Sequence, residues 1–256
     1  MKPSATYKDL FDPGHSTDFF EFERPVIFNP TSRYSTSNAA FCSELARVAY
    51  VREESRLVGY LSRVGMTLLA RFDKNGTQAY LARLNSPRAA FLMFRGSEQV
   101  EDWAFNLRWL PAPWPHGRGG MVHRGFKEAF EQVRDAIEPQ VCAIDYPLYI
   151  GGHSLGAALS VLAASLWNPT AVFTIAGPPV GNQAFVDSID GVPVYEHVHG
   201  RDPVPGLLSN LTHAGDLSKL EEVKVGWSWK TLFKRPPPHL RAHIPLLYSC
   251  AFERLR

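Results

Sequence analysis

Residues 147–167 read PLYIGGHSLGAALSVLAASLW, and they constrain this chain more than any other stretch. A short β-prone run, Leu148 to Ile150, meets two glycines; from Leu155 onward alanine, leucine and valine continue without a proline until Pro169. The pattern predicts a buried strand followed at once by a helix, with His153 and Ser154 at the junction. So sharp a turn forces its apex residue into a strained backbone conformation, and only glycines two positions to either side let the flanking elements approach. Gly152, Ser154 and Gly156 meet that demand, which lifts the serine hydroxyl clear of the sheet. Ala157, Ala158, Ala163 and Ala164 let the helix lie close on the sheet, with its positive N-terminal end toward the serine.

The rest of the chain alternates strand-like and helical patterns, as expected of an α/β fold with a mostly parallel central sheet flanked by helices. From Ser37, SNAAFCSELARVAYVREE opens on an N-cap candidate and carries Phe41, Leu45 and Val48 at helical spacing. GTQAYLARL reads as a strand, Asn85 to Arg88 as a turn, and Ala89 to Phe94 as a buried strand. TAVFTIAG and VPVYEHVHG are further strands, with NQAFVDSI a shorter helical piece. No repeat or low-complexity linker divides the chain, so residues 1–256 are expected to form one domain, with 1–36, rich in Phe and Pro, as an arm over the core.

Charge and composition narrow the function. Lys and Arg total 27 against 25 Asp and Glu, a balance that gives no electrostatic case for nucleic acid. No apolar run is long enough for a transmembrane segment, and MKPSATYKDLFDPG has no secretory core; the expectation is a cytoplasmic protein or a secreted one with its leader removed. Cys42, Cys142 and Cys250 suit a reducing compartment without excluding one bridge. No phosphate-binding loop or dinucleotide fingerprint is present, so no cofactor is expected.

A serine hydroxyl attacks only when a base removes its proton and an acid orients that base. In this architecture the acid follows the serine on a later strand end, and the histidine comes last. Asp202, in the turn of HVHGRDPVP, is the expected acid, with Asp187, Asp190 and Asp216 as rivals. HLRAHIPLLY offers both His239 and His243 as the base. His197 and His199 lack a third ligand for zinc and read as packing residues, so no metal is expected.

The motifs FRGSEQVEDWAFNL, MVHRGF, GGHSLGAAL, AGPPVGNQAF and GRDPVP, in that order, resemble the fungal-type, class 3 lipase family of α/β-hydrolases. That resemblance implies an α/β-hydrolase fold with a short helical lid, and a base spaced from a following tyrosine as His243 is from Tyr248. Where the family commonly has Asp before the histidine, this chain has Ala242, which leaves His239 as the alternative. It further implies an oxyanion hole from the amides of Ser97 and Leu155, and structural rather than catalytic roles for His123 and His153.

In EQVEDWAFNL, residues 98–107, Val100, Trp103 and Leu107 fall on one apolar stripe with Ala104. The resemblance makes this the lid and part of the substrate-binding surface; a fixed core helix is the alternative. Pro111, Pro113 and Pro115 beside Gly117, Gly119 and Gly120 suit a hinge. In VKVGWSWKTLFKR, Trp227, Trp229 and Phe233 interleave with cations, a composition suited either to the core or to transient docking at a lipid–water interface. The expected activity is hydrolysis of carboxylic esters, above all acylglycerols, through an acyl-enzyme, with a feruloyl or short-chain esterase, a phospholipase and an inactive lipid-binding protein as alternatives.

Overall fold

The computed structural model describes residues 5–97, 110–116, 119–189, 191–225 and 236–256. Helices α1 (Thr36–Val48) and α2 (Glu54–Arg63) precede strands β1 (Met66–Lys74), β2 (Thr77–Leu84) and β3 (Ala89–Phe94). Two short strands, β4 (Pro111–Pro113) and β5 (Met121–His123), lead into α3 (Arg124–Cys142). Then come β6 (Leu148–His153), α4 (Leu155–Trp167), β7 (Ala171–Ile175), β8 (Val194–His199), β9 (Asp216–Leu220) and the C-terminal helix α5 (Pro245–Arg254).

Among the described residues, one sheet runs in the order β1-β2-β3-β6-β7-β8-β9, and β4 pairs with β5 in a small ribbon. From β3 through β9 every neighbour is parallel, while β1, β2 and β3 pair antiparallel. The continuous apolar run of β3 follows from burial on both faces. Phe91 and Met93 join one core with Phe28, Phe41, Leu45, Tyr149 and Phe252. Leu92 and Phe94 point the other way, into a second core with Phe126, Phe130, Ile150 and Leu159. The sheet is thus sandwiched, with α1 and α5 on the first side and α3 and α4 on the second.

The stretch that begins at Ser37 differs from its sequence reading at both ends. Ser35 caps α1, its side chain accepting from the Asn38 amide, whereas Ser37 Oγ donates to the Ile27 carbonyl at 2.8 Å. The helix closes at Val48, where tighter bonds from Tyr50 N to Arg47 O and Val51 N to Val48 O end it; α2 is a separate helix.

Residues of the N-terminal arm enter the first core. Phe28 makes edge contacts with Phe91 and Tyr149, both at 4.8 Å between centroids. Phe19 lies under the guanidinium of Arg47, which bonds Glu44 Oε1 at 2.6 Å and Asp18 Oδ1 at 2.7 Å. The Phe20 amide donates to Glu44 Oε2 at 2.7 Å. Arg47 and Glu44 are buried, and the hydrogen bonds offset the cost of taking both charges out of water.

Candidate active site

Strand β6 ends at His153 and α4 begins at Leu155, so Ser154 alone makes the turn. It does so at φ 58° and ψ −121°, a conformation that costs about 1–3 kcal/mol for a residue with a side chain. Backbone contacts hold it there: the Ser154 amide donates to the Ile175 carbonyl at 3.1 Å. A Cβ at Gly152 would lie 2.5 Å from the Gly156 backbone, and one at Gly156 would lie 2.2 Å from the Phe94 carbonyl oxygen. Neither position accepts a side chain, which accounts for both glycines of the motif.

Asp202 follows β8, whose C-terminal end lies beside that of β7 in the parallel sheet. Its Oδ1 accepts from the Val204 amide at 3.0 Å and its Oδ2 from the Tyr248 hydroxyl at 2.6 Å. His243 Nδ1 faces both oxygens, at 3.0 and 2.9 Å, and all three side chains are buried. Because a carboxylate only accepts, Nδ1 carries the ring proton and leaves the Nε2 lone pair available. Burial pushes the Asp202 carboxyl upward, but His243 and the hydrogen bonds from His243, Tyr248 and Val204 outweigh it and hold the group below the ordinary aspartate range.

Ser154 Oγ and His243 Nε2 are both buried and make no hydrogen bond among the described residues. These are the two atoms between which a nucleophile's proton has to pass. His243 closes a short turn, Arg241–His243, just before α5, and Tyr248 comes from the first half of α5. His239 is exposed and the histidine beside Asp202 is His243. Of the rival acids, Asp187 is exposed and accepts from Gln183, Asp216 is exposed at the start of β9, and Asp190 lies outside the described residues.

Ser97 follows β3 by way of Arg95 and Gly96. Gly96 packs so closely on the elbow that a Cβ there would lie 2.6 Å from the His153 carbonyl oxygen and 2.1 Å from the Tyr50 hydroxyl. Leu155 opens α4, so its amide is among the helix N–H groups that have no intrahelical acceptor. The loop after β3 thus packs on the same elbow from which α4 starts.

Three further side chains hold the arrangement. His153 Nε2 donates to the His243 carbonyl at 2.9 Å, while its Nδ1 lies 2.7 Å from the Tyr50 hydroxyl. Burial, with the neighbouring His243, pushes His153 down to about 3, so it stays neutral. His199 Nδ1 lies 3.0 Å from the Ala242 carbonyl. The spacing of Tyr248 from His243 marks the tyrosine in the sequence; Tyr50, 103 residues before His153, has no local signal there.

His197 bonds the Thr174 carbonyl at 3.0 Å and packs on Phe252, and His123 precedes α3 with its ring on Phe126. Val100, Trp103 and Leu107, with the whole 98–107 lid segment, lie outside the described residues, as do Trp227, Trp229 and Phe233. Pro111 and Pro113, expected at a hinge, belong to β4. No described helix is long and apolar enough to cross a membrane.

A mostly parallel sheet with a serine elbow, and an acid and a histidine following on later elements, defines an α/β-hydrolase fold. Residues 91–211 match the family described as Lipase (class 3). Over that segment, a little under half of its length, the chain is similar to this family. It is 31% identical over 159 residues to a lipase of Rhizomucor miehei, covering 55% of this chain and 44% of that protein. It is 32% identical over 145 residues to secreted mono- and diacylglycerol lipase 1 of Fusarium solani, covering 52% and 44%. The chain thus spans less than half the length of these curated relatives. Among solved structures, the Rhizomucor miehei triacylglyceride lipase superimposes with a TM-score of 0.63 at 23% identity, covering 71% of this chain and 78% of that one. A triacylglycerol lipase described as having a serine protease triad at its catalytic centre gives a TM-score of 0.55 at 28% identity, covering 61% and 67%.

Proposed function

We propose that this protein is a serine hydrolase of carboxylic esters, acting on acylglycerols through an acyl-enzyme. The observation that carries the reading is the buried Asp202–His243 pair together with the two orphaned atoms, Ser154 Oγ and His243 Nε2. His243 takes the serine proton, Ser154 attacks the ester carbonyl, and the amides of Ser97 and Leu155 hold the oxyanion. The imidazolium then protonates the leaving alcohol, and water repeats the attack on the acyl-enzyme with His243 again as base. Acylglycerols are the favoured esters because the relatives named above are lipases, one of them a mono- and diacylglycerol lipase. A lid at 98–107 and transient binding at a lipid–water interface belong to the same reading and rest on the sequence of that segment.

The test is an ester series from soluble short-chain substrates to emulsified long-chain triacylglycerol, with Ser154→Ala as the blank. Turnover that rises once the substrate passes its solubility limit, and vanishes in the blank, supports a lipase. Turnover confined to dissolved esters makes the protein an esterase on the same residues, and turnover that survives in Ser154→Ala overturns the mechanism.

A further inference from the structure

The base is held by more than its carboxylate. The turn that presents it exposes two consecutive carbonyls, those of Ala242 and His243, to the interior, and each lies within hydrogen-bond distance of a different buried histidine. Chemistry decides which nitrogens carry protons. At His199, Nδ1 faces a carbonyl, which only accepts, and Nε2 lies 2.9 Å from the Val223 amide, which only donates. His199 is therefore neutral with its proton on Nδ1, and both ring nitrogens are used. At His153, Nε2 donates to the His243 carbonyl and Nδ1 accepts from the Tyr50 hydroxyl.

We propose that His199 is a positioning residue for the base: with His153 it clamps the Arg241–His243 turn through two successive carbonyls, so that the His243 ring meets Asp202 on one side and the Ser154 hydroxyl on the other. The proposal rests on the catalytic reading of Ser154, Asp202 and His243 given above. His199 ends β8, three residues before Asp202. One strand end thus supplies the acid by its side chain at 202 and the support of the base by its side chain at 199. The Asp202 amide donates to the His199 carbonyl at 3.0 Å, so acid and clamp are joined through the backbone as well. Neutrality matters to the device. A protonated His199 would lose the Val223 bond and set a cation beside the imidazolium that forms during turnover; burial lowers its proton affinity below that of an ordinary histidine, opposed by the Ala242 bond and by Asp202 and Glu222.

His197 supplies the control. It lies two residues earlier on the same strand, is equally buried, and sets its Nδ1 against the Thr174 carbonyl, yet it does not touch the base turn. His199→Asn keeps an amide donor near the position of Nδ1; His199→Gln moves the amide to the position of Nε2 and leaves Ala242 without its donor. On a soluble nitrophenyl ester, His199→Gln is expected to lower kcat by about ten- to a hundredfold with KM little changed, as a displacement near 1 Å at a reacting group does. His199→Asn should restore kcat to within about threefold of the parent, and His197→Gln should leave kcat of the folded enzyme unchanged.

A second readout does not depend on turnover. The His243 Nδ1 proton, bonded to Asp202, is followed by proton NMR in each variant, and it should shift or broaden in His199→Gln and stay in place in His197→Gln. An unmoved signal with parental kcat in His199→Gln overturns the clamp, as does a kcat loss in His199→Asn equal to that in His199→Gln. If His199→Gln does not fold, His199→Asn decides, since the clamp requires near-parental kcat and an unmoved Nδ1 signal in that variant. Ser154→Ala is run alongside. Activity surviving there condemns the catalytic reading, whereas an inactive Ser154→Ala with an undisturbed His199→Gln condemns the clamp alone.

Discussion

The Tyr248 hydroxyl donates at 2.6 Å to Oδ2 of Asp202, the same oxygen that faces His243 Nδ1 at 2.9 Å. The carboxylate is buried, so each donor it loses leaves buried charge unsatisfied. Tyr248→Phe removes one donor and keeps the ring, whose packing against His153 and His199 is retained. The variant should lose about 1.5–3 kcal/mol of stability, the worth of a hydrogen bond to a charged group, and Asp202 should titrate higher than in the parent. Urea unfolding and the acid limb of the pH–rate profile check both parts. Unchanged values would mean that Val204 and His243 suffice to hold the carboxylate.

His197 is buried, and burial, opposed only by the bond to the Thr174 carbonyl, brings it down to about 4. An unfolded histidine takes up a proton near pH 6.5, so this group contributes stability above that pH and loses it as pH falls toward about 4. His153, at about 3, acts in the same direction. Stability should therefore decline from pH 6.5 to 4 by up to about 1.4 kcal/mol per pH unit for each of the two groups. His197→Phe should remove one proton's worth of that slope in urea midpoints measured across the window. An unaltered slope would place the proton uptake elsewhere.

The pair Glu196 and His213 works in the opposite sense. His213 Nδ1 lies 3.2 Å from Glu196 Oε2, and its Nε2 donates to the Pro205 carbonyl, just beyond Asp202. Burial lowers His213, but Glu196 and the Pro205 bond outweigh it, so its proton is held more tightly than usual. A raised value contributes stability that is complete below about pH 6.5 and disappears as pH climbs through the folded-state value. Glu196→Gln should lower stability at pH 6 and leave it nearly unaltered at pH 9. Equal losses at both pH values would assign the effect to packing.

Arg47, held by a buried bond to Glu44 of the same helix, reaches the N-terminal arm through a half-buried bond to Asp18, while Glu44 receives the arm's Phe20 amide. Removing one partner of a buried ion pair typically costs about 3–5 kcal/mol, because the other charge stays behind without water. Arg47→Leu should pay that penalty in thermal or urea unfolding while the folded enzyme turns over normally, since the cluster does not touch Ser154, Asp202 or His243. A loss below about 1 kcal/mol would mean that the arm is held by Phe19 and Phe28 instead.

Legibility in the sequence followed burial. Strand β3 matches its apolar run residue for residue, because it is covered on both faces and ended by Asn85–Arg88 and Arg95. Strand β9, DLSKL, is exposed at four of its five positions and has no apolar signal of its own; only its pairing with β8 makes it a strand. The antiparallel start of the sheet was equally hidden, since β1 alternates weakly and its direction is set by its partners. Helix α3 was readable in principle: Phe126, Phe130, Val133, Ile137 and Val141 lie on one stripe. Ser154 and Asp202 were legible because each sits where a strand stops and the chain must turn. That His243 rather than His239 lies beside Asp202 is a matter of three-dimensional distance, and His199, His153 and Tyr50 reach their partners across 43, 90 and 103 residues.

Among the described residues Ser154 is anchored by main chain: β6 carries it, the Ile175 carbonyl of β7 receives its amide, and the Phe94 carbonyl of β3 closes on Gly156. Three neighbouring strands thus meet at one atom's address, and no side-chain substitution at the rim can relocate Ser154 without moving all of them. New substrate preferences in such a chain have to be written in the segments that surround this fixed point, so diversity among its relatives should accumulate in the connections while the elbow keeps its coordinates.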